Sequence, residues 1–159
     1  MSYWVGGIYV EFATKQFGVI EIRDDQIVTF PEGLIGFQGC KRFFVLDIDD
    51  VGFFKWLQCL DEDYLGFIIL DPRSVFPDYD PEFAAKDLEP LGASSPGDLV
   101  MLSVVTLPEE VTEMTMNLQA PLVINPSKRL GKQVITVSPE YTTKHAVYAQ
   151  LQNLLKRTG

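Results

Sequence analysis

The amino-acid sequence predicts a fold that is all-β in the main, with one core and a helix at its C-terminal end. Three observations carry that prediction. Residues 42–46, 53–60 and 66–70 are apolar runs of similar length joined by short polar turns, the pattern of a β-meander. Residues 98–107 form a nearly unbroken apolar run, which suits a strand buried on both faces. After His145 the apolar period changes from that of a strand to that of a helix.

Taken in order, residues 13–22 read as a hairpin: Thr14 to Phe17 as one strand, a break at Gly18, and Val19-Ile20-Glu21-Ile22 as the other. Arg23-Asp24-Asp25-Gln26 is a polar turn, and Ile27-Val28-Thr29-Phe30 is a short β-branched strand. Residues 42–46 form a buried strand closed by Asp47, Asp49 and Asp50. In 53–60, alternation places Phe54, Trp56, Gln58 and Leu60 on one face and Phe53, Lys55, Leu57 and Cys59 on the other. Asp61-Glu62-Asp63-Tyr64 is an acidic turn, and the strand 66–70 ends at Asp71-Pro72. Pro72, Pro77, Pro81, Pro90 and Pro96 keep residues 72–96 out of helix interiors and central strands. One helical turn is expected over 82–87. Val75, Phe76, Phe83 and Leu88 need cover, so the stretch is a surface excursion of the same domain. After the central strand 98–107 come a polar loop, short strands over 114–118 and 122–124, a turn at Leu130-Gly131-Lys132 and a strand over 133–137. Val147, Tyr148, Leu151, Leu154 and Leu155 fall at helical spacing from about Lys144, with Lys156-Arg157 suited to the helix C-terminus and Gly159 to its stop. The stripe is expected to pack on the β core in preference to binding a partner.

One stretch fits neither period, namely Thr29-Phe30-Pro31-Glu32-Gly33-Leu34-Ile35-Gly36-Phe37. Pro31 holds Phe30 extended, and Pro31-Glu32-Gly33 is a turn in which glycine supplies a left-handed backbone. Large apolar side chains follow at once. Two readings stand: a hairpin corner that plugs the β core, or a preformed ledge for a partner.

Composition narrows the function. The 159 residues are 47% hydrophobic, enough for a single domain with one core. No apolar run approaches the roughly 20 residues of a membrane-spanning helix. The start, Met1-Ser2-Tyr3-Trp4-Val5-Gly6-Gly7, lacks the basic and apolar segments of a secretory signal, so a cytoplasmic protein is expected. Cys40 and Cys59 are too far apart for a C-x-x-C motif and read as buried thiols. The net charge is −9, but residues 128–159 carry +5 and the rest −14. An acidic body speaks against direct nucleic-acid binding, which needs cations for phosphates, and favours a basic protein as partner.

Catalytic chemistry is sparse. His145 is the only histidine, and it lies beside Lys144 far from any cysteine. No G-x-S-x-G elbow and no phosphate-binding glycine loop is present. Asp61-Glu62-Asp63 lacks the spacing of a calcium loop, and Asp47, Asp49 and Asp50 read as a solvated turn. No metal, cofactor or catalysed reaction is expected, and an interaction protein leads. Two alternatives are a single-stranded nucleic-acid-binding β-barrel using Phe43, Phe53 and Trp56 as stacking platforms, and a small enzyme with a carboxylate pair drawn from Asp47 to Asp63.

The motifs, taken together, resemble a known family. Phe30-Pro31-Glu32-Gly33-Leu34-Ile35-Gly36-Phe37 is similar to the early signature of the flagellar assembly factor FliW. Phe54-Lys55-Trp56-Leu57-Gln58, Leu65-Gly66-Phe67 with Asp71-Pro72, and Pro77-Asp78-Tyr79 follow in the family's order. Asn117-Leu118-Gln119-Ala120-Pro121-Leu122-Val123-Ile124-Asn125 is the most specific match, and Gly131-Lys132-Gln133-Val134-Ile135 and Tyr141-Thr142-Thr143-Lys144-His145 complete it. The resemblance covers residues 13–145. It implies a small closed or nearly closed antiparallel β-barrel-like domain over that range, an N-terminal extension over 1–12 and an appended helical tail over 146–159. Cys59 departs from the pattern, standing where a small polar residue is expected. The resemblance further implies binding to the translational regulator CsrA, relief of its repression of flagellin messenger RNA, and binding to flagellin, by a chain that is monomeric when free and catalyses nothing. Glu32, Leu34, Ile35 and Phe37, with Asn117, Gln119 and Asn125, are the candidate partner surface. The competing reading makes them packing and turn residues, with Asn117 and Asn125 tying loops through backbone hydrogen bonds.

Overall fold

In the computed structural model of the chain, which describes residues 2–3, 9–49 and 52–158, the meander of residues 42–70 is the spine of a closed barrel. β1 (Ser2–Tyr3), β2 (Tyr9–Thr14) and β3 (Gly18–Arg23) form a separate antiparallel sheet. β4 (Val28–Thr29), β5 (Arg42–Asp47), β6 (Lys55–Cys59), β7 (Gly66–Leu70) and β8 (Val100–Thr106) follow as successive antiparallel neighbours. β9 (Thr115–Met116), β10 (Leu122–Asn125), β11 (Leu130–Gln133) and β12 (His145–Ala146) complete the strands. The ring runs β4, β5, β6, β7, β8, β10, β11 and back to β4, which makes seven strands. One seam is parallel, Leu130 of β11 against Thr29 of β4, where an antiparallel barrel was expected. A hundred residues separate these strands, so no tight hairpin dictates their relative direction. As expected, β8 is central. One edge of it takes β7, and the other is shared between β10 and then β9, with β12 beyond β9.

The barrel interior is filled by alternate residues of the meander, Phe43, Leu57, Cys59 and Ile69, with Leu102, Leu122 and Ile124 opposite. Phe30 enters from one end, fully buried, its ring 5.2 Å from that of Phe43 and edge-on to it. It fits because β11 has Gly131 there. A Cβ at that position would lie 2.4 Å from the Phe30 ring. Gly131 is therefore a packing residue inside a strand, not the turn predicted at 130–132. The turn lies earlier, where Arg129 donates its N–H to Pro126 O and adopts φ +52°, and Asn125 Oδ1 accepts from Ser127 N–H. Residues 134–137, predicted as strand, leave the ladder and donate to the carbonyls of Pro121, Gln119 and Glu82.

Three layers cover the barrel. The β2–β3 hairpin packs Ile22 on Phe44 and Leu60. Its turn is at residues 15–17, immediately before Gly18 and inside the strand predicted over Thr14 to Phe17, because the Thr14 hydroxyl accepts from Phe17 N–H and donates to Gly18 O. The turn rests on the β6–β7 connection through Phe17 against Trp56 and Gln16 against Tyr64 O. Beneath it Gln58, fully buried, reaches the carbonyls of Cys59, Asp63 and Leu65 and accepts from the Trp56 indole. The proline-rich excursion contains α1 (Pro72–Val75), capped by Asp71, and α2 (Ala85–Leu88), and it lays Leu91 over Val123 and Val134. Finally α3 (Tyr148–Thr158) buries Leu151, and the chain just before it buries Val147, with Leu70, Val75 and Met116. The boundary drawn between residues 12 and 13 falls inside β2. Met1, residues 4–8 of the N-terminal extension, Asp50 and Gly159 lie outside the described residues.

Replacing Gly131 by alanine is expected to lower stability by about 1–3 kcal/mol, the usual cost of overpacking a core. A urea melt of Gly131→Ala with an unshifted midpoint would show that the Phe30 ring has room to retreat.

Candidate functional site

The corner at residues 30–40 closes one end of the barrel, and its backbone is held by a series of hydrogen bonds. Phe30 N–H donates to Lys41 O at 2.6 Å, and Gly33 N–H to Phe30 O at 2.8 Å. Gly33 has φ +68° and lies so close to Gln38 that a Cβ would meet its backbone at 2.6 Å. Leu34 and Phe37 then pair across a tight turn, and Cys40 N–H donates to Phe37 O. A long-range brace completes the corner. Gln133 Oε1 accepts from Ile35 N–H at 2.8 Å while its Nε2 donates to Ala120 O at 3.1 Å. One side chain of β11 thus joins the corner to the Asn117–Pro121 loop.

The seven candidate residues divide by position. Ile35 and Phe37 point outward, 54% and 42% exposed, and Phe37 leans edge-on against Phe67 at 5.3 Å. Glu32 is exposed, 3.5 Å from the ammonium of Lys132, which also donates to Asp87 O. Gln119 is exposed, and its backbone is spent on Thr142 O and Thr136 N–H. Leu34 is buried within the barrel core. Asn117 Oδ1 accepts from Ala120 N–H, and Asn125, buried, donates to Leu91 O. Leu34, Asn117 and Asn125 therefore shape the site from inside, while Glu32, Ile35, Phe37 and Gln119 form its surface. A cavity of about 250 Å³ lies between Glu32, Ile35, Gln38, Lys132 and Gln133. Sequence reading missed Lys132, Gln133 and Phe67 as parts of the site. Ile35 and Gln133 are 98 positions apart, and only the motif match had touched Gln133.

Next to the corner, Asp61 clamps the start of β5. Its Oδ2 accepts from Lys41 and Arg42 N–H at 2.8 and 3.0 Å, and its Oδ1 faces the Arg42 guanidinium. Burial pushes the carboxyl up, but these hydrogen bonds and the guanidinium outweigh it and hold the group below the usual carboxylate range. The other acids are engaged elsewhere. Asp47 pairs with Lys55, and Asp49 accepts from the N–H groups of Phe53 and Phe54 at the far end of β5. Asp47 and Asp49 therefore do not converge with Asp61 on a common site. Phe43, one of the possible stacking platforms, is fully buried. Cys40 and Cys59 are both buried, with their thiols in contact. Burial first, and the Cys59 thiol second, push Cys40 up to about 12, so the pair behaves as small core side chains.

The chain is similar to a set of known proteins over nearly all of its length. The family profile described as "FliW protein" matches residues 11–147. The flagellar assembly factor FliW of Natranaerobius thermophilus is 39% identical over 140 residues, covering 87% of this chain and 93% of that one. FliW of Geobacillus kaustophilus is 39% identical and that of Treponema denticola 37%, each covering 89% of this chain and 97% and 96% of the relative. A crystal structure of the flagellar assembly factor FliW superposes with a TM-score of 0.80 at 38% identity, covering 87% of this chain and 97% of that one.

Two outcomes follow from the local geometry. Gln133→Ala removes both halves of the brace and is expected to cost about 1–3 kcal/mol. Amide exchange at Ile35 should accelerate by more than the global loss accounts for, and unchanged protection there would remove Gln133 as the brace. Because the Asp61 pKa is lowered in the fold, its contribution is present above about pH 4 and is lost as pH falls below that value. The difference in melting temperature between the native chain and Asp61→Asn should therefore be constant near neutrality and shrink in acid. A difference that stays constant into acid would contradict the clamp.

Proposed function

The chain belongs to the FliW family, and from that premise we propose that it acts in flagellar assembly as a partner-switching binder in the cytoplasm. It takes up a CsrA-type RNA-binding regulator, which relieves repression of flagellin messenger RNA, and it binds flagellin. No reaction is catalysed.

The observation that carries this reading is the pair Ile35 and Phe37, apolar and outward on a corner whose backbone is already fixed. Burying such side chains costs little further ordering, so they supply affinity efficiently. An RNA-binding partner must present cations. The body's −14 and the exposed Glu32 attract that surface and speed encounter. The hydrogen bond of Asn117 fits the same reading, since it closes the loop on which Gln119 is displayed, while Asn125 ties Leu91 to the barrel.

Calorimetric titration with CsrA and separately with flagellin, at two salt concentrations, tests it. Both should bind, and CsrA affinity should fall as salt rises. The Ile35→Ser/Phe37→Ser double variant, with its fold checked by circular dichroism, should weaken a partner by about tenfold or more. Leu34 is unsuitable for this purpose because it is a core residue. Unchanged affinity for both partners takes the corner out of the interface. Binding to flagellin alone removes the regulatory half, and binding to neither removes the proposal.

A further inference from the structure

A second surface lies at the opposite end of the barrel. β5 and β6 run in register from the Phe43–Cys59 pair beside the corner to the Asp47–Lys55 pair, roughly 13 Å away at strand rise. Beyond that far end, an apolar groove of about 860 Å³ separates Tyr148, Leu151 and Leu154 of α3 from Phe53 and Phe54 of the β5–β6 connection. A smaller hollow of about 280 Å³, lined by Ile48, Leu107 and Val111, shares Phe54 and Met114 with it and extends it. Ile48, Leu107 and Val111 are 40%, 52% and 43% exposed. The stripe of α3 thus packs on the core, as expected, through Val147 and Leu151, yet one flank of it is left as a groove wall.

The charged groups lining the groove are already engaged locally. Lys55 pairs with Asp47, Asp49 accepts from two backbone N–H groups, and Asp71 caps α1. The charged groups of the lining are thus committed within the chain, which speaks against a charged small molecule as occupant. The net field of the rim is nevertheless acidic. Besides Asp49 and Asp71, Glu109, Glu110 and Glu113 stand exposed around Val111, and Arg73 is beside Asp80. Lys156, near the end of α3, is an exposed cation outside the groove lining. An elongated apolar trough with an acidic rim matches one kind of occupant.

We propose that the groove between α3 and the β5–β6 connection is a docking surface, separate from the corner, for an amphipathic helix of a partner protein that carries basic residues beside its apolar stripe. Such a helix would seat residues at i, i+3, i+4 and i+7 along the trough, with its cations over Glu109, Glu110 and Glu113.

The test uses the full chain and a fluorescent synthetic helix of about 18 residues, five turns long. Leucines occupy one face, and lysine and glutamine occupy the rest. Binding is read by anisotropy. The helix should bind, weaken as salt rises, and lose about tenfold or more in affinity for the Leu107→Lys/Val111→Lys variant, both positions being exposed and the fold checked by circular dichroism. The Ile35→Ser/Phe37→Ser variant should bind it as the native chain does, which separates this proposal from that of the corner. A peptide of the same composition with its leucines dispersed, or with glutamate in place of lysine, should bind at least tenfold more weakly. Equal binding by either control, indifference to the two lysine substitutions, or loss in the corner variant overturns the proposal. So does concentration-dependent self-association that the lysine variant abolishes, which would give the groove to a second copy of the chain.

Discussion

The contact between Phe30 and Gly131 is the constraint on which the rest of the fold depends. The barrel closes through β4, a strand of two residues, whose pairing with β11 is a short parallel seam. Hydrogen bonds alone would hold so short a seam weakly. What fixes it is the Phe30 ring, inserted into the barrel against Phe43 and received by the one residue type in β11 that leaves room for it. Because Phe30 also begins the corner, the packing that closes the barrel determines where the corner stands. Leu34 then adds a second internal anchor four positions later.

With both anchors inside, the intervening and following residues have little freedom. Pro31 and Gly33 make the turn, and Ile35 is tied to β11 through Gln133. The exposed apolar residues are therefore carried by a backbone that was ordered when the core formed. Association at such a surface is spared much of the loop-ordering cost that a flexible segment incurs. The same economy would let a motif dominated by core and turn residues serve the proposed interaction role. Most of its letters shape the corner, and few need touch a partner.

The sequence made the local parts of this fold legible. The β5–β6–β7 meander, the central β8 and the packed face of α3 each follow from apolar period and short polar turns, which act within a dozen residues. The assignment failed where a residue's meaning depended on distant chain. Gly131 reads as a turn until Phe30 is placed beneath it. Lys15 to Phe17 read as strand until the Thr14 hydroxyl closes them into the hairpin turn. The division of the seven candidate residues into surface and interior was equally hidden. Leu34 and Ile35 are adjacent and chemically alike, and only the direction of the corner buries one and exposes the other. Motif resemblance marked the segment because it registers position, but it carries no information about which way a side chain points.

The geometry also constrains how two partners would affect each other. The corner and the α3 groove lie at opposite ends of β5 and β6, whose five-pair ladder is continuous and whose inner face is fully packed. A closed, filled barrel is a stiff spacer, and coupling across it would need an element with two discrete arrangements. Occupants at the two ends should then bind independently. Mutual exclusion between partners calls for overlapping footprints at one end, or for a large partner that wraps from one end to the other. The brace at Gln133 and the clamp at Asp61 both act on the corner side, so a partner that disturbed either would alter the corner and leave the groove wall of α3 in place. On the proposed reading, competition at the corner would be the simpler physical arrangement for switching, and an occupant of the groove need not take part in it.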